Sequence, residues 1–174
     1  FQFVRAPERD PGTASGCSSV VTIERARQVC EGLRIPHHII NRTEHFERAV
    51  IDPFCAEYEA GSTPNPCVRC NALVKWPNLL EMASALDCSY VATGHYARIR
   101  RENERVQILR GADRGKDQSY ALYSLSQAAL ERTLFPLGSM KKEQVRAVAE
   151  QASLSTSGTR ESQDICFIPE GDYR

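Results

Sequence analysis

The chain has 174 residues, 41% of them hydrophobic and 25% charged, with 22 Lys plus Arg against 22 Asp plus Glu. That length carries one α/β domain with a sizeable core and is short for two. The charge balance excludes a global basic field, so any nucleic-acid site has to be local; no apolar run approaches the ~20 residues of a membrane span, and no sustained apolar stretch follows Phe1-Gln2-Phe3-Val4-Arg5 to make a signal peptide.

Phe1 to Val4 reads as the end of a strand, followed by a polar loop with Pro7, Pro11 and Gly12. Ile23, Ala26, Val29, Cys30 and Leu33 recur at helical spacing and predict an amphipathic helix closed between Gly32 and Pro36. His37-His38-Ile39-Ile40 is a short strand. Phe46, Val50, Phe54 and Tyr58 form one stripe of a second helix, in which Asp52-Pro53 reads as an N-cap and first-turn proline restarting the helix. Gly61-Ser62-Thr63-Pro64-Asn65-Pro66 is irregular, because two prolines remove donors and restrict their predecessors.

Leu79, Leu80, Met82, Ala83 and Leu86 mark a further helix, and Tyr90-Val91-Ala92-Thr93 a buried strand ending at Gly94-His95. A charged hairpin spans Tyr96 to Gly111, with its turn between Arg101 and Glu104. Helical stretches near residues 126–133 and 140–152 precede a last strand, Ile165-Cys166-Phe167-Ile168. Strands alternating with helices predict a parallel sheet covered by helices on both faces. The chain has neither an internal repeat nor a low-complexity tract.

Seven cysteines lie inside these patterns, without the short loop-rich spacing of a secreted disulfide scaffold. That usage points to a reducing compartment and against reading Asn41-Arg42-Thr43 as a glycosylation acceptor. Cys67-Val68-Arg69-Cys70 is the first feature with chemical content. Two thiols so close can share a metal, form a redox pair or include one activated thiolate. Arg69 would favour the thiolate if its side chain folded back. A complete zinc ribbon would need a second pair, which is absent. Cys166 alone, in an apolar run, reads as a small core residue; Cys17, Cys30, Cys55 and Cys88 have no reactive context.

Taken together, seven ordered segments are similar to the tRNA-specific 2-thiouridylase family, which makes 2-thiouridine at the wobble position. They are Asp52-Pro53-Phe54, Thr63-Pro64-Asn65-Pro66-Cys67-Val68-Arg69-Cys70-Asn71, Tyr90-Val91-Ala92-Thr93-Gly94-His95-Tyr96-Ala97-Arg98, Leu109-Arg110-Gly111, Gly115-Lys116-Asp117-Gln118-Ser119-Tyr120, Leu134-Phe135-Pro136-Leu137-Gly138 and Ser162-Gln163-Asp164-Ile165-Cys166-Phe167. The resemblance covers the chain from about Gly16 to Arg174. It implies an α/β fold with a Rossmann-like parallel sheet of the adenine-nucleotide alpha-hydrolase (PP-loop ATPase) type. A catalytic domain over 1–160 would carry a helical insertion with the Cys-x-x-Cys loop (about 44–86), and 161–174 would begin a central domain or its linker.

By the same resemblance, Cys70 is the expected nucleophile and Cys166 the expected persulfide carrier. Gly94 matches a position that contacts ATP, Asn65, Pro66 and Cys67 match the segment meeting the target base, and His95, Lys116, Asp117 and Gln118 match tRNA contacts. ATP with Mg2+ is the implied co-substrate, tRNA the partner through its anticodon stem-loop, and a cysteine desulfurase or sulfur relay protein the donor. No membrane is involved, and the location is cytoplasmic, or an organelle if the source is eukaryotic. The chemistry fits: ATP can turn the poorly electrophilic C2 carbonyl of uracil into an adenylate, and a persulfide is a good sulfur donor. A second cysteine then releases that sulfur by forming a disulfide. A strand ending in Gly94-His95 suits a ligand crevice at the carboxyl end of a parallel sheet, and a rigid Pro64-Asn65-Pro66 segment could hold a base drawn out of its stack.

Two departures matter. The family's Ser-Gly-Gly-Val-Asp-Ser type phosphate loop does not occur in these residues, and Gly12-Thr13-Ala14-Ser15-Gly16 does not replace it. The chain also stops before the family's central and β-barrel domains. The expectation is therefore a partial chain that does not bind ATP productively by itself, with a non-catalytic tRNA-binding fragment or relic as one alternative. Some family members carry Asp where Cys67 stands, which leaves a second alternative: Cys67, Cys70 and Cys166 as ligands of a [4Fe–4S] cluster. Persulfide chemistry without a protein-bound metal ranks ahead of it.

Overall fold

A computed structural model of the chain describes residues 2–4, 20–154 and 165–168. The polar stretch after the first strand, Cys17 and the segment containing the 160/161 boundary lie outside the described residues. Strand β1 (Gln2–Val4) pairs in parallel with β2 (Ile39–Asn41), connected through helix α1 (Val20–Gly32). A second parallel pair joins β3 (Val91–Ala92) to β6 (Thr133–Leu134), and Thr93 N–H donating to the Leu134 carbonyl at 3.1 Å continues it by one bond. Between them, β4 (Ala97–Glu102) and β5 (Arg105–Arg110) form an antiparallel hairpin, with Ala97 opposite Arg110 and Glu102 opposite Arg105. Asn103 and Glu104 both adopt positive φ, +48° and +61°, as a two-residue hairpin turn that follows the strand twist requires.

The second helical stretch is one continuous path, contrary to the expected restart at Asp52. Helix α2 (Thr43–Phe46) passes through a π-helical stretch, Glu47–Ile51, into α3 (Asp52–Glu59). Asp52 itself is helical and caps nothing. The cause is Pro53, which has no N–H to give the carbonyl of Ala49 four residues earlier; the helix widens there, and the guanidinium Nε of Arg69 donates to that carbonyl at 3.1 Å. Gly61, at φ +81°, closes α3: its N–H donates to the Tyr58 carbonyl and the Ser62 N–H to the Glu57 carbonyl, each at 2.9 Å.

The same device recurs downstream. Helix α4 (Pro66–Arg69) leads through a π-helical stretch, Cys70–Lys75, into α5 (Trp76–Ala85), with Pro77 in the first turn of α5. The Cys-x-x-Cys motif is therefore helical, not a loop. Asn65 accepts the Cys67 N–H on its side-chain oxygen at 3.1 Å and Pro66 fills the first helical position, so the proline-rich segment starts a helix. The Leu86 and Cys88 N–H groups close α5 on the Met82 and Ala83 carbonyls at 3.0 and 2.7 Å, and Arg132 holds the segment beyond it by donating to the carbonyls of Ser89 and Cys88 at 3.1 and 2.9 Å.

Trp76, Ala97, Val106, Leu122, Leu125, Ala129 and Leu130 make the core, with Leu80, Ile99, Ile108 and Phe135 packed against it. It lies between α5, the hairpin and α6 (Gln127–Glu131), which Ser126 caps. Helix α7 (Lys142–Gln151) follows β6. One buried polar relay crosses this core: the Trp76 indole N–H donates to Thr133 Oγ1 at 2.8 Å, and that hydroxyl donates to the Ala129 carbonyl at 2.7 Å. The expected last strand at residues 165–168 is a turn, closed by the Ile168 N–H on the Ile165 carbonyl at 3.0 Å. Its apolar side chains serve packing and no strand partner: Phe167 stands edge-on to Phe46 and Phe54, with ring centroids 5.9 and 5.3 Å away. Among the described residues no helix is long and apolar enough to cross a membrane.

Candidate active site

The helical run at residues 66–85 is where the candidate residues converge. At its start, Asn65 is exposed as the cap, Pro66 is buried beneath it and Cys67 faces solvent. Cys70, half-buried, is the first residue of the π-helical stretch. Arg69, between the two thiols, does not fold back toward them. Its Nε is held by the Ala49 carbonyl and its Nη1 lies 3.8 Å from Glu57, because the carbonyl left open by Pro53 takes the guanidinium.

Two contacts bring the Cys70 and Cys166 segments to one element. The Arg69–Ala49 bond fixes the Cys70 helix against the α2–α3 path, and the Phe46–Phe167–Phe54 cluster fixes the Cys166 turn against that same path. Cys166 is half-buried, and no disulfide joins the six described cysteines. Among the described residues, no group of three or more His, Cys, Asp or Glu side chains is gathered to hold a metal ion. Cys67, Cys70 and Cys166 are thus not assembled as ready cluster ligands.

On another side of the run, Asn71 is 2% exposed and its amide donates to the Ala121 carbonyl at 2.9 Å. That bond ties the residue next to Cys70 to the 3₁₀ turn Ser119–Ala121, and so to the segment carrying Lys116, Asp117 and Gln118. Asp117 is occupied with its own loop: it accepts the N–H groups of Gly111 and Ser119 at 2.9 and 3.2 Å and the Ser119 hydroxyl at 3.0 Å. Burial opposes the charge, but these donors, with Arg110 nearby, hold its carboxyl below the usual range. Gln118 brackets Tyr96, donating its N–H to the Tyr96 carbonyl at 3.0 Å and accepting the Tyr96 N–H on its side-chain oxygen at 3.1 Å.

Gly94 and His95 lie at the carboxyl end of β3. A Cβ on Gly94 would meet only Leu137 Cδ1, at 3.7 Å, which is ordinary contact, and its φ is not positive. The fold does not require glycine there, and its backbone is open to close approach. His95 sits between the rings of Trp76 and Phe135, at 5.5 and 6.2 Å, and shares a 2.9 Å hydrogen bond with Thr93 Oγ1. Burial, with Lys75 adding to it, lowers its pKa from 6.5 to about 4, so the ring is neutral at pH 7. The motif reading gave Asn71, Trp76 and Thr133 no part in the site. The pairing of a lone tryptophan with a following proline was the available signal for the second; the others depend on partners more than 45 residues away.

Parallel strand pairs with helices between them define an α/β protein. The chain belongs to the family described as the tRNA methyl transferase HUP domain, whose model matches residues 3–170. It is similar to proteins named tRNA-specific 2-thiouridylase MnmA, as the ordered motifs implied. The protein of Heliobacterium modesticaldum is 47% identical over 171 residues, covering 97% of this chain and 44% of that relative. The protein of Amoebophilus asiaticus is 50% identical over 161 residues, covering 92% and 43%, and that of Leptospira interrogans 49% over 162 residues, covering 93% and 43%. The chain thus spans less than half the length of these relatives.

Proposed function

We propose that this chain is the thiol-bearing part of a tRNA-uridine 2-sulfurtransferase, acting at C2 of the wobble uridine. The observation that carries the reading is the shared docking of the Cys70 helix and the Cys166 turn on the α2–α3 path, with neither cysteine in a disulfide. Two thiols on one support suit a reaction in which sulfur passes from one to a substrate and the other completes the exchange. ATP, as co-substrate, supplies the adenylyl group that converts the uracil O2 into a leaving group; Gly94, uncrowded at its strand end, is the described residue open to its approach. The described residues include no glycine-rich phosphate loop, so the phosphates need donors beyond them.

In this reading the terminal sulfur of a Cys166 persulfide attacks C2 and AMP departs, leaving Cys166 joined to the base through two sulfurs. The Cys70 thiolate then attacks the Cys166 sulfur, the sulfur–sulfur bond breaks toward the base, and 2-thiouridine leaves. The Cys70–Cys166 disulfide formed in that step is reduced by an external thiol, and a sulfur-donor protein restores the persulfide. Exposed Asn65 meets the extruded base, with buried Pro66 stiffening the edge from beneath; Cys67 adjoins it on the exposed side, and Lys116 and Gln118 meet the anticodon stem-loop. Neutral His95 contacts the RNA as a hydrogen-bonding group rather than as a cation. Asp117 acts there by shaping its loop. The methyl transfer in the family description finds no support in a site whose distinguishing groups are thiols.

The test is 2-thiouridine formation, measured with ATP, a sulfur donor and tRNA. Cys70→Ser and Cys166→Ser are each expected to abolish it while the unfolding free energy from urea titration stays within about 1 kcal/mol of the parent, as an isosteric change at a half-buried site permits. Normal thiolation in both variants overturns the assignment. A protein purified anaerobically with iron and sulfide bound to Cys67, Cys70 and Cys166 would instead support the cluster alternative.

A further inference from the structure

The 3₁₀ turn beside the Cys70 helix and the turn that follows it each carry a large aromatic side chain that the core does not use. Tyr120 is 57% exposed and Tyr123 74% exposed, while Ala121 and Leu122 between them are buried. The N–H groups of Ala121, Leu122 and Leu125 each donate to the carbonyl three residues earlier, at 3.1 Å. Tyr120 and Tyr123 are three residues apart in this run of turns, both exposed on either side of the buried pair. We propose that Tyr120 and Tyr123 form a stacking platform for bases of the RNA loop that enters the site. This inference rests on the tRNA reading above and extends it to the nucleotides neighbouring the modified base.

Three observations carry it. The first is position. The Asn71–Ala121 bond of 2.9 Å joins the residue after Cys70 to the residue after Tyr120, and successive Cα atoms are ~3.8 Å apart. A base resting on Tyr120 and another presented to Cys70 are then within reach of consecutive nucleotides in one loop. The second is rigidity. Leu122 and Ala121 anchor the turn in the core, and Gln118 brackets the Tyr96 backbone in front of it. The platform is thereby held before any ligand arrives, which limits the ordering cost of binding.

The third is charge. The segment leading into the turn brings Arg110, Arg114 and Lys116 together with Asp113 and Asp117. Both carboxylates are engaged by backbone amides, Asp113 by those of Gly115 and Lys142 at 3.1 and 2.9 Å, Asp117 by those of Gly111 and Ser119. Arg110 and Arg114 are exposed. Aromatic rings beside cations, with the local carboxylates turned to backbone donors, complement a single-stranded polyanion. The centre of a protein–protein contact is instead depleted of charge.

The experiment titrates the 174-residue chain into an anticodon stem-loop carrying fluorescent 2-aminopurine in place of the base 3′ to the wobble uridine. Binding is expected to quench the fluorophore by stacking. Tyr120→Ala and Tyr123→Ala are expected to weaken binding by about 5- to 150-fold and to reduce the quenching, whereas Tyr120→Phe and Tyr123→Phe keep both. The emission of buried Trp76 serves as the fold control for every variant. Stem-loop binding and quenching that are unchanged in both alanine variants overturn the platform, including the case in which this face receives a protein, and leave the tRNA reading intact. A parent chain that fails to bind the stem-loop sinks the tRNA reading and the platform with it.

Discussion

His95 makes the stability of this chain depend on pH in a window where a solvent-exposed histidine would have little effect. Its pKa lies at about 4 in the folded chain, against 6.5 for an ordinary histidine, because the ring is buried between Trp76 and Phe135, with Lys75 adding a like charge. The unfolded chain takes up the proton as pH falls below 6.5, and the folded chain resists it until about 4. Stability is therefore fully present above pH 6.5, falls as the pH drops toward 4, and levels off below. At roughly 1.4 kcal/mol per pH unit the whole window amounts to about 3 kcal/mol, most of it lost between pH 7 and pH 4.5. Urea unfolding followed by the single tryptophan reads this directly, since Trp76 touches the ring. The informative quantity is the double difference with His95→Gln, which keeps a hydrogen-bonding group for Thr93 but cannot titrate; carboxylates such as Asp117 contribute equally to both chains and cancel. The parent should lose about 2 kcal/mol more than the variant over that interval. Equal losses in the two proteins refute the argument that burial governs this histidine.

Two further outcomes follow from packing. Gly138→Ala would place a Cβ 1.8 Å from the Ala97 carbonyl oxygen, against backbone that cannot yield, and is expected to lower the melting temperature sharply, whereas Gly94→Ala meets only Leu137 at 3.7 Å and leaves it unchanged; calorimetry on both separates them, and ATP-dependent thiolation is expected to fall in the Gly94 variant although its fold is intact. Thr133→Val strands the buried indole N–H of Trp76 and the Ala129 carbonyl, so urea unfolding should show a loss of about 1 to 3 kcal/mol, with Thr133→Ser losing less.

Much of the fold was legible because local pattern and final environment agree. The stripe Phe46, Val50, Phe54 and Tyr58 reads as a helix face, and Val50 and Phe54 are buried on it. The charged hairpin is found within a residue of its expected bounds, since its turn is local. Where the reading failed, the deciding partner was remote. Residues 165–168 have strand composition, yet they form a turn in which Phe167 packs edge-on against Phe46 and Phe54. Tyr90 reads as part of a buried strand but is 54% exposed, because β3 is only two residues long and pairs with an equally short β6. The motif segments singled out Cys67 and Cys70, but not that both lie on one helical run, nor that Asn71 ties that run to Ala121.

The prolines show how a local rule and a distant residue combine to shape the site. A proline in a helix orphans the carbonyl four residues before it, and a single orphan of that kind is costly when buried. Pro53 opens the Ala49 carbonyl, and the residue that answers it is Arg69, from between the two thiols. The charge that could have bathed Cys70 is thereby spent on joining its helix to the helix that also seats the Cys166 turn. Pro77 sits in the same relation to the stretch that begins at Cys70, so the thiol occupies the widened turn of a helix and not a flexible loop. What looked in the sequence like electrostatic activation of a loop cysteine is, in the folded chain, mechanical placement of a helical one. In the proposed function, the activation of Cys70 is therefore assigned to the groups that meet it when the Cys166 sulfur and the RNA are in place.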